Sequence, residues 1–381
     1  MSIVAIDGFD HYSATTDLGY RVGKLKWSYY ANNAIYDPNV GFTTGRGGYG
    51  SCLQLPGYRG GALVGTLNAN YNEIIIGFAV KIDTTIGSIS YAVYNSSYFN
   101  RFNVVFRDWS TGVTNGAAQC IVSFFPKSGV IQVYKGDGVT LLASSLNDAF
   151  NSQVWQFIEI KVVIDNSTGS VSVNVQNQSV VSAVNIDTQV TPNAYLNGVD
   201  INTDVGITGS PGSLFGFFCI NVDDFYLCDT TVGPGIYPCD DFLGDHRVAT
   251  LYPTANGAIS WTPLSGTNWQ EVSETHFDGD ATYNYSSTVG QEDLFSVNPL
   301  VGTVNTVLAV QITGAYRKTD SSPRYIAQHI SSGGTDGAAT PQQLAMSYSY
   351  LSDIFVLDPN TGANWTTAAV NSMNIGYSLT T

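Results

Sequence analysis

Short runs of alternating apolar and polar residues recur along the chain, each cut off by Gly, Asn, Asp or Pro. A period of two belongs to β-strands, whose successive side chains point to opposite faces, and helical periodicity is nearly absent. Residues 73–83 (EIIIGFAVKID), 88–94, 102–107, 119–125 and 130–135 read as strands. In 155–165 (WQFIEIKVVID), Ile158, Ile160, Val162 and Ile164 share one face, while Phe157, Glu159, Lys161 and Val163 share the other. The first face is wholly aliphatic and predicts a core; the second carries the charges. Residues 166–169 (NSTG) make a turn and 170–176 return with strict alternation, which predicts a hairpin. About a dozen such runs before Asp229 suit a two-sheet sandwich.

The most apolar run, 215–229 (FGFFCINVDDFYLCD), is followed at 230–238 (TTVGPGIYP) by two prolines and two glycines. This predicts a first domain over 1–231, a linker at 232–238 and a second domain over 239–381. The second region starts rich in loops. Residues 303–316 and 324–331 then read as adjacent strands, 347–357 as a strand, 358–362 (DPNTG) as a turn, 365–373 as a short helix and 376–381 as a closing strand. The fold class is all-β, a sandwich plus a smaller β-rich domain.

Composition narrows the function. Charged residues are 12% of the chain, about half the usual share, so Ser, Thr, Asn, Gln, Gly and Tyr must cover the surface. A net charge of −15 without any basic run excludes nucleic acid as a partner. No apolar stretch reaches the length of a membrane span, and the N-terminus lacks the basic and apolar regions of a signal peptide. The five cysteines form no CxxC pair; Cys120 and Cys219 fall in apolar runs and read as free buried thiols, and Cys228 and Cys239, which flank the linker, could in principle bridge, the less favoured reading.

Candidate chemistry is sparse. Asp223 and Asp224 are calcium candidates, since hard cations want several oxygens, although neighbours on a strand point opposite ways. No other cofactor is indicated. Asp278-Gly279-Asp280 with Thr282 has metal-like spacing but lacks the Glu that completes a calcium loop, so a turn is the better reading. Gly45, Gly47 and Gly50 satisfy GxGxxG formally, yet Pro56 would stop the helix that a dinucleotide site requires; these glycines serve turns. Glu271 and Glu274, near Trp269 and His276, are the closest acid pair with glycan-hydrolase potential. His11, His246, His276 and His329 are scattered and default to surface or turn positions. Trp27, Tyr29, Tyr30, Tyr36 and Trp109 could stack on sugars or partners, with core and interface packing the favoured role.

Two sets of residues carry a resemblance. GRGGYGSCLQL from Gly45, WQFIEIKVVIDNSTGSVSVNVQ from Trp155 and NVDDFYLCD from Asn221 resemble the concanavalin A-like (laminin G-like) jelly roll. DDFLGDHRVATLYPTANGAISWTPLSGTNWQEV from Asp240, with GAYRKTD and DPNTGANWT, is similar to a module of tailed-bacteriophage virion proteins that follows such a domain. Glycanases of the jelly-roll fold place their acids as ExDxE or ExDxxE on one strand, and neither spacing occurs. The resemblance implies a non-enzymatic virion component, favoured as a tail-fibre protein for host attachment. It would be assembled in the host cytoplasm and released by lysis. Its partners would be other virion proteins, a second and third copy of itself in a trimer, and a host-surface glycan or protein. A capsid decoration or head-fibre protein, and a glycan depolymerase, are the alternatives.

Overall fold

The computed structural model describes residues 2–12, 21–22, 25–30, 41–56, 62–83, 101–111, 116–151, 153–204, 219–230, 239 and 241–381. The strand expected at 88–94, the linker at 232–238, residues 215–218 and Tyr36 lie outside them.

Two antiparallel sheets face each other. One has eight strands, in the order Gln178–Ile186, Gly169–Val175, Gln156–Val163, Glu73–Asp83, Cys219–Asp229, Ser51–Pro56 and Gly41–Thr44, with Ser2–Asp7 also paired to Cys219–Asp229. The other has seven: Leu141–Ser144, Val130–Lys135, Ala117–Phe125, Arg101–Asp108, Leu196–Asp204, Ala62–Tyr71 and Leu25–Tyr30. Glu73–Asp83 lies between two strands far from it in sequence, so the sheets are woven together, and the architecture is an all-β jelly-roll sandwich. Sixteen strands end by Asp229 among the described residues, more than the dozen read from the sequence, because short edge strands have little periodicity to show.

The alternation sorts side chains as the sequence predicts. Ile158, Ile160, Val162 and Ile164 enter the core between the sheets with Ile76, Phe78 and Val80, and meet Phe102, Val104, Phe106 and Phe124 from the other layer. Phe102 and Phe124 stack with centroids 4.5 Å apart. Each such side chain, fully buried, contributes about 1.5–3 kcal/mol. The charged face of Gln156–Val163 is covered as well. Phe157 and Glu159 are buried against Cys239, Phe242 and Leu243, and Glu159 Oε1 accepts from Gly244 N at 2.8 Å. Cys228 and Cys239 are buried thiols in this cluster, and burial and the neighbouring Cys239 push the Cys228 thiol far up.

The smaller β-rich part contains a six-stranded sheet, with Pro253–Ile259, Glu292–Val297, Asn374–Leu379, Tyr325–Ser332 and Thr335–Ala338 in order and Gln342–Gln343 beside Tyr325–Ser332. The helix expected near 365–373 forms over Thr367–Ser372, where Thr366 Oγ1 accepts from Ala369 N at 3.1 Å. Residues 303–316 and 324–331 are not adjacent strands. Val310–Tyr316 pairs with Ser349–Phe355, whereas Tyr325–Ser332 pairs with Asn374–Leu379. A local pattern predicts a strand but says nothing of its partner.

The N-terminal region completes a sheet of the C-terminal one. Arg21–Val22 pairs in parallel with Ser349–Phe355, opposite Tyr350 and Leu351. Tyr350 also enters the sandwich core, edge-on to Tyr12 with centroids 5.9 Å apart. Among the described residues, no helix is long and apolar enough to cross a membrane.

Candidate functional site

The outer face of the seven-stranded sheet is built by the same alternation that fills the core. In Arg101–Asp108, Phe102, Val104 and Phe106 turn inward, so Asn103, Val105 and Arg107 turn outward. Likewise Ser123 and Ile121, Gln132 and Tyr134, and Asp200 and Asn202 face outward from the neighbouring strands, because Val122, Val133 and Ile201 face in. Register then puts Gln132, Ser123, Asn103 and Asn202 in one row across four strands. Ser123 Oγ donates to Asn103 Oδ1 at 2.7 Å, and Asn103 Nδ2 donates to Asn202 Oδ1 at 3.2 Å.

Asp200 sits one row along, opposite Val105. It is buried, and its Oδ2 accepts from Arg107 Nε. Its other oxygen, Oδ1, is buried with no hydrogen-bond partner. Burial pushes this carboxyl up to about 6, with the Arg107 charge and hydrogen bond pulling it back down. The Trp109 ring lies over Gly198, where a Cβ would come within 2.0 Å of Nε1, and that indole N–H also lacks an acceptor. Arg101 lies 5.4 Å over the Tyr134 ring. A row of amides and a hydroxyl, buried at Asn103 and Ser123 and half-buried at Gln132 and Asn202, thus lies beside the Asp200 carboxyl and is flanked by half-buried rings and guanidinium groups. Such groups suit vicinal hydroxyls and the apolar faces of sugars.

The sequence singled out Trp109 from this face and missed the rest. The signal was present: Asn103, Ser123 and Gln132 are polar residues within otherwise apolar runs, and Asp200 and Asn202 alternate with Val199 and Ile201.

Asp223 and Asp224 lie elsewhere, at a bulge of Cys219–Asp229 where Asp224 has φ 52°. Asp223 Oδ2 accepts from Arg46 N at 2.7 Å and Oδ1 from Asp224 N at 2.8 Å. Asp224 Oδ1 accepts from Val248 N at 2.9 Å, and Oδ2 is 3.5 Å from Arg46 Nη1. Burial, then the Asp224 charge, pushes Asp223 up to about 7; burial also raises Asp224. Every oxygen faces a donor of the chain itself, one of them a guanidinium. The pair therefore does not fit a calcium ion, which takes six to eight oxygens, and serves as a brace.

The glycine loop belongs to that brace. Gly47 and Gly50 have φ of 76° and 60°, a left-handed turn that glycine adopts freely, and the turn presents Arg46 to Asp245 at 2.6 and 2.5 Å. Glu271 is buried and accepts from Ser265 Oγ at 2.9 Å and Tyr283 N at 3.3 Å, which makes it a loop brace. Asp278 accepts from Thr282 Oγ1 at 2.8 Å, and Asp280 holds Arg317 and the Tyr348 hydroxyl, both at 2.8 Å. Glu274, His276, His11 and Asp224 are among the residues lining a cavity of about 960 Å³ between the two parts of the chain. His246 also lines that cavity, whereas His329 is buried on Tyr325–Ser332 rather than at a surface or turn.

The jelly-roll sandwich is the class this architecture defines. No protein-family model matches the chain, and no curated protein matches it in sequence. Similar solved structures include the PL-14 alginate lyase of Aplysia kurodai, at 10% identity and TM-score 0.40 over 60% of this chain and all of that one. The alginate lyase vAL-1 of a Chlorella virus has 14% identity and TM-score 0.38 over the same share of this chain and all of its own. Lectin II of Ulex europaeus has 9% identity and TM-score 0.33 over 59% of this chain and 98% of its own. These are likenesses of fold. They correct the expectation of a non-enzymatic chain, because folds similar to this one carry lyases as well as lectins, and a sandwich does not itself exclude catalysis.

Proposed function

We propose that the chain recognises a glycan on the outer face of its seven-stranded sheet, as part of a tailed-phage particle and favoured on a tail appendage. The observation that carries the glycan reading is the polar row of Gln132, Asn103 and Asn202 beside Arg107 and the Tyr134 ring on that face. Half-buried amides of Gln132 and Asn202 and the Arg107 guanidinium suit sugar hydroxyls, the Tyr134 ring suits a sugar's apolar face, and buried Asp200 holds Arg107 in place. The resemblance of the DDFLGDHR module supports the particle, and the division into 1–231 and 239–381 is part of the same reading.

Electrophoresis through gels containing host-surface polysaccharide tests the face. The wild-type chain is retarded, and Tyr134→Ala and Asp200→Ala restore free mobility. Retardation of both variants like the wild type would remove the face from the function. A reducing-end assay on the same polysaccharides reads cleavage. Light scattering reads the trimer, and antibody labelling of particles distinguishes an appendage from the head.

A further inference from the structure

We propose that Glu292, His329 and Asp336 form a binding site for a divalent transition-metal ion of the zinc class. Glu292–Val297, Asn374–Leu379, Tyr325–Ser332 and Thr335–Ala338 lie side by side in the six-stranded sheet. Phe295, Tyr377 and Ile330 turn to the core on one face. Register then puts Glu292 opposite Ser378, with His329 and Asp336 on that same second face.

The three groups converge. His329 Nδ1 is 2.8 Å from Asp336 Oδ2 and 3.3 Å from Glu292 Oε2, and the three ligand atoms lie within 4.8 Å of one another. A four-coordinate ion with bonds of about 2.1 Å holds its ligands about 3.4 Å apart, so small side-chain movements complete the geometry. One N–H can serve only one of the two carboxylates, whereas a metal at that point serves both. Among the described residues, no Lys or Arg pairs with either acid. Ser378 Oγ lies 2.7 Å from Nε2 and fixes the ring, the role that an outer partner has at a metal-bound imidazole. One imidazole with two carboxylates favours zinc, manganese or iron(II) over calcium, which takes oxygen alone.

Ser378, His329 and Asp336 also have the order of nucleophile, base and orienting acid. Asn374–Leu379 is flanked by strands on both sides, so its backbone N–H groups are engaged in the ladders rather than aimed at a developing oxyanion. The metal reading is the one the sheet supports.

Calorimetric titration of the full chain with zinc chloride, after removal of metals by a chelator, tests this. One zinc per chain is expected, with affinity falling by about tenfold or more in Asp336→Asn and in Glu292→Gln. Cobalt substitution is expected to give the strong visible bands of a four-coordinate ion, lost in the same variants. Asp336 is exposed, so the metal-free Asp336→Asn chain is expected to melt like the wild type. Absence of zinc binding, or wild-type affinity in both variants, would overturn the site.

Discussion

Asp200 governs the pH response of the sheet face. Its carboxyl, raised from 3.8 to about 6 chiefly by burial, prefers the neutral form in the fold. The stability this gives is full below about pH 4 and is lost as pH rises through about 6, because ionisation then charges a buried group. A shift of roughly two units corresponds to at most about 3 kcal/mol. Asp200→Asn is expected to flatten stability against pH in that window, at some cost from leaving Arg107 without its charged partner. Melting temperatures from pH 4 to 8 check it, and an unchanged slope would assign the titration to other groups. Asp7 has a purely structural role: it is buried and accepts from Phe9 N at 3.0 Å, the Tyr12 hydroxyl at 2.8 Å and Trp27 Nε1 at 3.0 Å. Asp7→Leu leaves these donors unmet at about 1–3 kcal/mol each, so urea unfolding should show a loss of roughly 3 kcal/mol or more. Neither role was legible in the sequence, since partners 20 or 93 residues apart leave no periodic trace.

Strands are legible where their cause is local. Val130–Lys135 begins and ends where the alternation does, because a half-buried strand must alternate along its own length, whereas Glu73–Asp83 shows as a continuous apolar run because both its faces are buried. Pairing is not local, so the pattern in 303–316 points to the wrong neighbour, and the strand itself begins only at Val310. Gly77 shows the limit within a single strand. Its neighbours mark it as strand, but its need to be glycine comes from Tyr226, whose ring a Cβ would meet at 2.0 Å. Gly77→Ala is expected to cost about 1–3 kcal/mol and to shift Tyr226 from Glu159, measurable by denaturant melts and tyrosine fluorescence. The sheet-face row was half legible: its polar positions stand out in the strands, but their alignment depends on register.

At the scale of the whole molecule, Arg46 is the fastening between the sandwich and the chain that follows it. Its guanidinium holds Asp245 with two hydrogen bonds, and its carbonyl accepts from Arg247 Nη1 at 3.0 Å. The buried Asp224 completes the cluster. Removing one member of a partly buried ionic cluster leaves the others uncompensated, so Arg46→Ala should cost about 2–4 kcal/mol of contact between the two parts. Scanning calorimetry is expected to resolve two unfolding transitions in the variant where the wild type shows one. A single transition at the wild-type temperature would show that the buried cluster around Phe157 and Tyr226 suffices.

The parallel pairing of Arg21–Val22 with Ser349–Phe355 also sets an order of events during synthesis. The early strand leaves the ribosome more than 300 residues before its partner, a wait of roughly tens of seconds at ordinary elongation rates. Through that interval its unpaired backbone is open to other nascent chains on the same message. Slower translation of the second half would therefore raise the yield of misassembled chains, even though the finished protein is unchanged.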